Sequence, residues 1–117
     1  MSIVFLTAPS MDSAAALPEG VSVDVIAKYP SETPGVKEIL FRKITIKPGA
    51  SWTLTVPAQS VCQGTKGILK VVNHTTGKTH IFNAGDRWST TPGHKVTLTA
   101  EGGATHEHLF YTMVPKK

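Results

Sequence analysis

An all-β domain, a sandwich or a barrel, is predicted by three features of the sequence. Apolar and polar residues alternate with period two from Lys37 onward, turns built on glycine and proline recur, and helical periodicity is nearly absent. Val, Ile, Thr and aromatic residues fill the alternating runs, as half-buried strands require. With 117 residues, 40% hydrophobic and 17% charged, the chain suits one domain around one core.

In chain order, "SMDSAAAL" predicts a short helix capped by Ser10 and stopped at Pro18. "VSVDVIA" reads as a strand and "YPSETPG" as a loop, so residues 1–36 form an N-terminal arm whose strand packs on the barrel or on a partner subunit. The barrel proper spans residues 37–117. "EILFRKITIKPG" is a strand with Leu40, Arg42, Ile44 and Ile46 on one face, ended by Pro48-Gly49. "SWTLTVP" turns Trp52, Leu54 and Val56 one way and Ser51, Thr53 and Thr55 the other, which gives one buried and one wet face. "GILKVVNHTTGKTHIF" is a hairpin in which Gly77 can take the positive φ its turn needs. Three more short strands lie within "GDRWSTTPGHKVTLTAEGGATHEHLFYTMV", separated by turns at Pro92-Gly93 and Gly102-Gly103.

Composition excludes several functions. The formal charge is +4, but the twelve Lys and Arg are scattered, with doublets only at Arg42-Lys43 and Lys116-Lys117. Nucleic-acid binding needs a clustered basic face, and none forms. No run approaches the roughly 18 apolar residues of a membrane span, and "MSIVFLTAP" is short for a secretory signal with no preceding basic residue. The single Cys62 allows no internal disulfide and reads as a structural thiol, so a cytoplasmic protein is expected. Nucleophile elbows and phosphate-binding glycine loops are absent.

Residues "KITIKPGASW", "KGILKV" and "NAGDRWSTTPGHKV" together resemble the small single-domain cupins of the RmlC-like type, over roughly residues 37 to 114. The resemblance implies a double-stranded β-helix, or jelly roll, that forms a homodimer. Many cupins bind a metal through Gly-x5-His-x-His-x3–4-Glu-x6-Gly and a last histidine in a second motif. Aligning Gly67 with the closing glycine puts Ser60 at the glutamate and Leu54 and Val56 at the two histidines. Gly85-Asp86 and Gly93 match the second motif, which places Val96 near the fourth ligand position and His94 two residues early. A divalent cation needs three or four lone-pair donors at roughly 2 Å, and Leu and Val have none. No metal and no cofactor are expected at the usual site.

Strand alternation puts His106, His108, Phe110, Thr112 and Val114 on one face. The two histidines are expected at a partly solvated strand end beside "AEGGAT". A displaced metal site would need a third ligand from His80, His94 or Glu101. Arg42 interrupts an apolar face, so it meets a carboxylate such as Glu38 or Asp86, or awaits an anionic ligand. Gln59, Ser60 and Gln63 could orient a ligand from loops at the barrel mouth.

The resulting expectation is a metal-free cupin-like barrel that binds a small organic molecule in its lumen. Arg42, Trp52, Leu54, Val56, Ser60, Trp88, Val96 and His108 are its expected lining residues. Two alternatives stand beside it. One is an enzyme of lyase, isomerase or dioxygenase type that uses His106 and His108 with His94 or His80. The other is a structural or interaction protein with a solid lumen.

Overall fold

The computed structural model describes residues 17–116. Among the described residues nine strands follow one another without a helix: β1 (Val21–Pro30), β2 (Val36–Ile46), β3 (Ser51–Thr55), β4 (Ser60–Lys66), β5 (Ile68–Asn73), β6 (Lys78–Phe82), β7 (Arg87–Ser89), β8 (Lys95–Glu101) and β9 (His106–Pro115). They form a five-stranded sheet in the order β1-β2-β9-β4-β7 and a four-stranded sheet in the order β3-β8-β5-β6. Every pairing is antiparallel. Neighbours distant in sequence, such as β2 with β9 and β3 with β8, give the two-sheet arrangement of a jelly roll.

The turns are dictated locally. In Lys47-Pro48-Gly49-Ala50, proline presets the first central φ and Gly49 sits at φ 83°, while Ala50 N donates to Lys47 O at 3.0 Å. This is a type II turn, whose second central residue must have positive φ. Thr91-Pro92-Gly93-His94 repeats it, with Gly93 at φ 88°. Such turns set the register, and register decides which side chains enter the core.

Period-two patterning then places the core. Leu40, Ile44 and Ile46 of β2 are almost fully buried, as are Leu69 and Val71 of β5 and Val96 and Ala100 of β8. Ile44 and Ile46 belong to one cluster with Val21, Val56, Leu69, Val71, Val96 and Ala100, which spans both sheets. Truncating either isoleucine to alanine would cost about 2–5 kcal/mol, the usual range for a buried branched side chain.

The structure differs from the sequence reading in two elements. β1 continues through Tyr29 and Pro30, because pairing with β2 across the five-stranded sheet's edge extends it into the expected loop, with a bulge between Val25 and Ala27. β4 is a strand where a mouth loop was expected, since its backbone pairs on both sides with β9 and β7. Gln63 therefore faces outward, and Gln59 is exposed at the approach to β4. The helix expected over "SMDSAAAL" lies outside the described residues except for its final Leu17.

Candidate functional site

The inward faces of the two sheets do not close completely. A cavity of about 360 Å³ remains between them. β2 contributes Arg42 and Ile44, β3 contributes Trp52 and Leu54, and the segment into β4 contributes Val56, Ala58 and Ser60. Trp88 of β7, Val96 and Leu98 of β8, and His108, Phe110 and Thr112 of β9 complete most of the wall. All eight residues expected to line the lumen, Arg42, Trp52, Leu54, Val56, Ser60, Trp88, Val96 and His108, are brought to this cavity. Leu54 and Val96 face each other as paired residues of β3 and β8.

Others were not foreseen. Thr112 and Phe110 share the face of His108, so alternation alone contained their signal. Cys62 reaches the wall because β4 buries Ser60, Cys62 and Gly64 at alternate positions. Its thiol is buried, and loss of solvation pushes its pKa up to about 12, so no thiolate forms near neutrality.

Two polar clusters interrupt the hydrocarbon wall. At one, Arg42 Nη2 donates to Thr112 Oγ1 at 2.9 Å, and Thr112 Oγ1 and Ser60 Oγ lie 2.7 Å apart. The guanidinium carbon also sits 4.5 Å from the centre of the Phe110 ring, a cation–π distance. Among its contacts here Arg42 reaches a hydroxyl and an aromatic face, and Asp86 accepts from Asn83 N in its own turn.

The second cluster corrects the reading of the histidines. His106 is 0% and His108 4% exposed, not partly solvated, because β9 lies between β2 and β4 with this face turned inward. His106 Nε2 and His108 Nδ1 are hydrogen-bonded at 2.8 Å. Burial pushes both rings well below the usual imidazole range, His106 to about 4 and His108 to about 3. The Lys66 carbonyl and Glu107 oppose the shift of His106, and His106 itself deepens that of His108. Both rings are therefore neutral near pH 7. Trp88 packs edge-on against His108 with ring centres 5.0 Å apart and stacks at 4.1 Å on Phe82.

The remaining candidates stay apart from this site. His80 stacks on Phe82 on β6, and His94 is hydrogen-bonded to Asn73 at 3.1 Å. Glu101 ends β8 opposite Ile68. Among the described residues no three His, Cys, Asp or Glu side chains converge as a metal site would require. At the positions that the cupin resemblance assigns to metal ligands, Leu54, Val56 and Val96 offer no lone pair and Ser60 offers a neutral hydroxyl. This donor set does not fit a divalent cation.

Comparison with known proteins finds likeness in structure alone. No protein-family model matches the chain, and no curated protein matches it. A protein of unknown function from Rhizobium leguminosarum bv. viciae 3841 superposes with a TM-score of 0.67 at 20% identity, over 85% of each chain. The Cupin_2 domain of an XRE-family transcriptional regulator from Enterobacter cloacae gives a TM-score of 0.67 at 13% identity, over 84% of this chain and 100% of that one. An oxalate oxidase in complex with the substrate analogue glycolate gives 0.62 at 15% identity, over 86% of this chain and 55% of its own. Among the described residues no helix is long and apolar enough to cross a membrane.

Proposed function

From the cupin fold that these likenesses show, we propose that the chain is a small-molecule-binding protein in which the family's usual metal site is lost and the lumen accepts an organic ligand. The observation that carries this reading is the cavity itself. Its volume of about 360 Å³ lies within the range of small-molecule sites, about 300–1,000 Å³, and its wall is mostly apolar with a few convergent polar groups. A solid lumen, the structural alternative, would leave no such space.

The apolar wall of Leu54, Val56, Val96 and Leu98 would receive a hydrocarbon body, and Arg42 with Ser60 and Thr112 would receive a carbonyl or carboxylate. Trp52 and Trp88 line the same space, so their fluorescence reports on its contents. Titration with 3-phenylpropionate should give saturable quenching. No saturable change up to several millimolar would count against the reading.

The enzyme reading is favoured by one observation, the paired histidines with His108 at the cavity wall. Its weakness is basicity. A ring whose pKa is pushed down to about 3 takes up protons poorly near neutrality, where an effective general base is poised near the working pH. Binding therefore accounts better for the site than proton transfer.

A homodimer in a cytoplasmic setting completes the proposal. Val25, Ile26, Tyr29, Val61 and Tyr111 are exposed apolar residues on strands of the five-stranded sheet, and Phe41 stacks on Tyr111 with ring centres 4.3 Å apart. A second copy of the chain would cover this surface. The buried free thiol of Cys62 accords with a reducing compartment.

A further inference from the structure

The inward face of the five-stranded sheet is laid out in cross-strand rows. Thr112 pairs with Ser60 in one row, Arg42 with Phe110 in the next and Ile44 with His108 in the third. Successive rows are two residues apart, roughly 7 Å along the strands. All three rows reach the cavity wall, so they give the cavity two distinct ends.

Polar groups gather at the first end. Arg42 Nη2 donates back across one row to Thr112 Oγ1 at 2.9 Å, so the guanidinium leans toward the hydroxyls and away from Ile44. Ser60 Oγ lies 2.7 Å from Thr112 Oγ1, and Ser60 N donates to Thr90 Oγ1 at 2.9 Å. Thr90 lines the cavity as well. A guanidinium has five N–H donors, so Arg42 can keep Thr112 and its other contacts and still offer a donor to a ligand. The hydroxyl hydrogens can rotate toward an incoming acceptor.

The opposite end is mostly hydrocarbon. The turn from Lys47 to Ala50 leads the chain from Ile46 back into β3, and Trp52 with its strand partner Leu98 packs on the core cluster that holds Ile44 and Ile46. Of the described residues at the cavity wall Arg42 alone carries a fixed charge, and no Asp or Glu stands among them. Within a wall of low dielectric that charge attracts an anion and repels a cation. A second ligand charge at the Ile44 end would lose its hydration with little in return.

Resting on the reading of the cavity as a ligand site, we infer that the site selects monoanions: its ligand is a monocarboxylate with an apolar tail about as long as that of an arylpropionate. The carboxylate meets Arg42 and the hydroxyls of Ser60, Thr90 and Thr112. The tail lies toward Ile44, Trp52 and Leu98.

Titration by tryptophan fluorescence at pH 7 tests this with three probes: 3-phenylpropionate, its neutral amide 3-phenylpropionamide, and the dicarboxylate 3-(4-carboxyphenyl)propionate. The monocarboxylate should bind about 10- to 100-fold more tightly than the amide, the effect of a buried hydrogen bond to a charged group. It should exceed the dicarboxylate by at least about tenfold, because the second charge enters the apolar end. Arg42→Gln should bring carboxylate and amide to similar affinities. The ligand comparison uses the unaltered protein, so it stands whether or not that variant folds. Equal or tighter binding of the amide or of the dicarboxylate overturns the inference but leaves the small-molecule reading standing, as does a preference for the carboxylate that persists in folded Arg42→Gln. No binding of any of the three removes both.

Discussion

His106 Nε2 and His108 Nδ1 lie 2.8 Å apart inside a wall almost closed to water, so each imidazole supplies the other's partner at that contact, while His106 Nδ1 is buried without a hydrogen bond among the described residues. Near neutrality the pair holds no net charge, and a single strand supplies both partners. The arrangement makes the protein's stability sensitive to acid.

Burial depresses both folded-state pKa values, to about 4 and about 3, below the unfolded value near 6.5. The unfolded chain therefore binds more protons at intermediate pH, and stability must rise with pH there. The contribution is complete above about pH 6.5 and is lost progressively as pH falls toward the folded-state values. Urea unfolding at pH 7.5 and pH 4.5 should differ by a few kcal/mol. Replacing both histidines, His106→Leu with His108→Leu, should flatten this dependence over the same interval.

Thr112→Val keeps the side chain's shape and removes the hydroxyl between Arg42 and Ser60. With the buried guanidinium deprived of this acceptor, stability should fall by about 1–3 kcal/mol, readable by chemical denaturation. An unchanged midpoint would mean that the hydroxyl is readily replaced by water.

The sequence carried much of this arrangement. Leu54, Val56 and Val96 could be placed because alternation along β3 and β8 is strict and their Pro-Gly turns fix its phase. β4 was hidden because "SVCQGTK" mixes small and polar residues, and what makes it a strand is pairing with β9 and β7, which are distant in sequence. The burial of the histidines was hidden for a related reason. Alternation says which residues share a face, but not that strands on both sides close over that face.

Introducing Leu54→His, Val56→His, Val96→His and Ser60→Glu together should create a cation site if the motif alignment is right, because β3 and β8 already set Leu54 opposite Val96. Zinc or nickel content near one equivalent in the variant, against less than about a tenth in the parent protein, is the expected result.

Tyr111→Glu places a charge in the exposed apolar surface beside Phe41. If a second copy covers this surface, light scattering should show a dimer for the parent protein and a monomer for the variant, with little change in the fold of either.

Cys62 should resist thiol reagents in the folded protein at pH 8 and react fully once urea unfolds it, since burial both blocks access and suppresses the thiolate.

The claim that an open, hydrocarbon-walled lumen receives an organic ligand is tested most directly by methyl-resolved NMR during titration with 3-phenylpropionate. Saturable shifts confined to Leu54, Val56, Val96 and Leu98, with Ile44 beside them, are predicted. Shifts absent from these methyls, or spread over outward-facing Val25, Val61 and Ile81 instead, would contradict it.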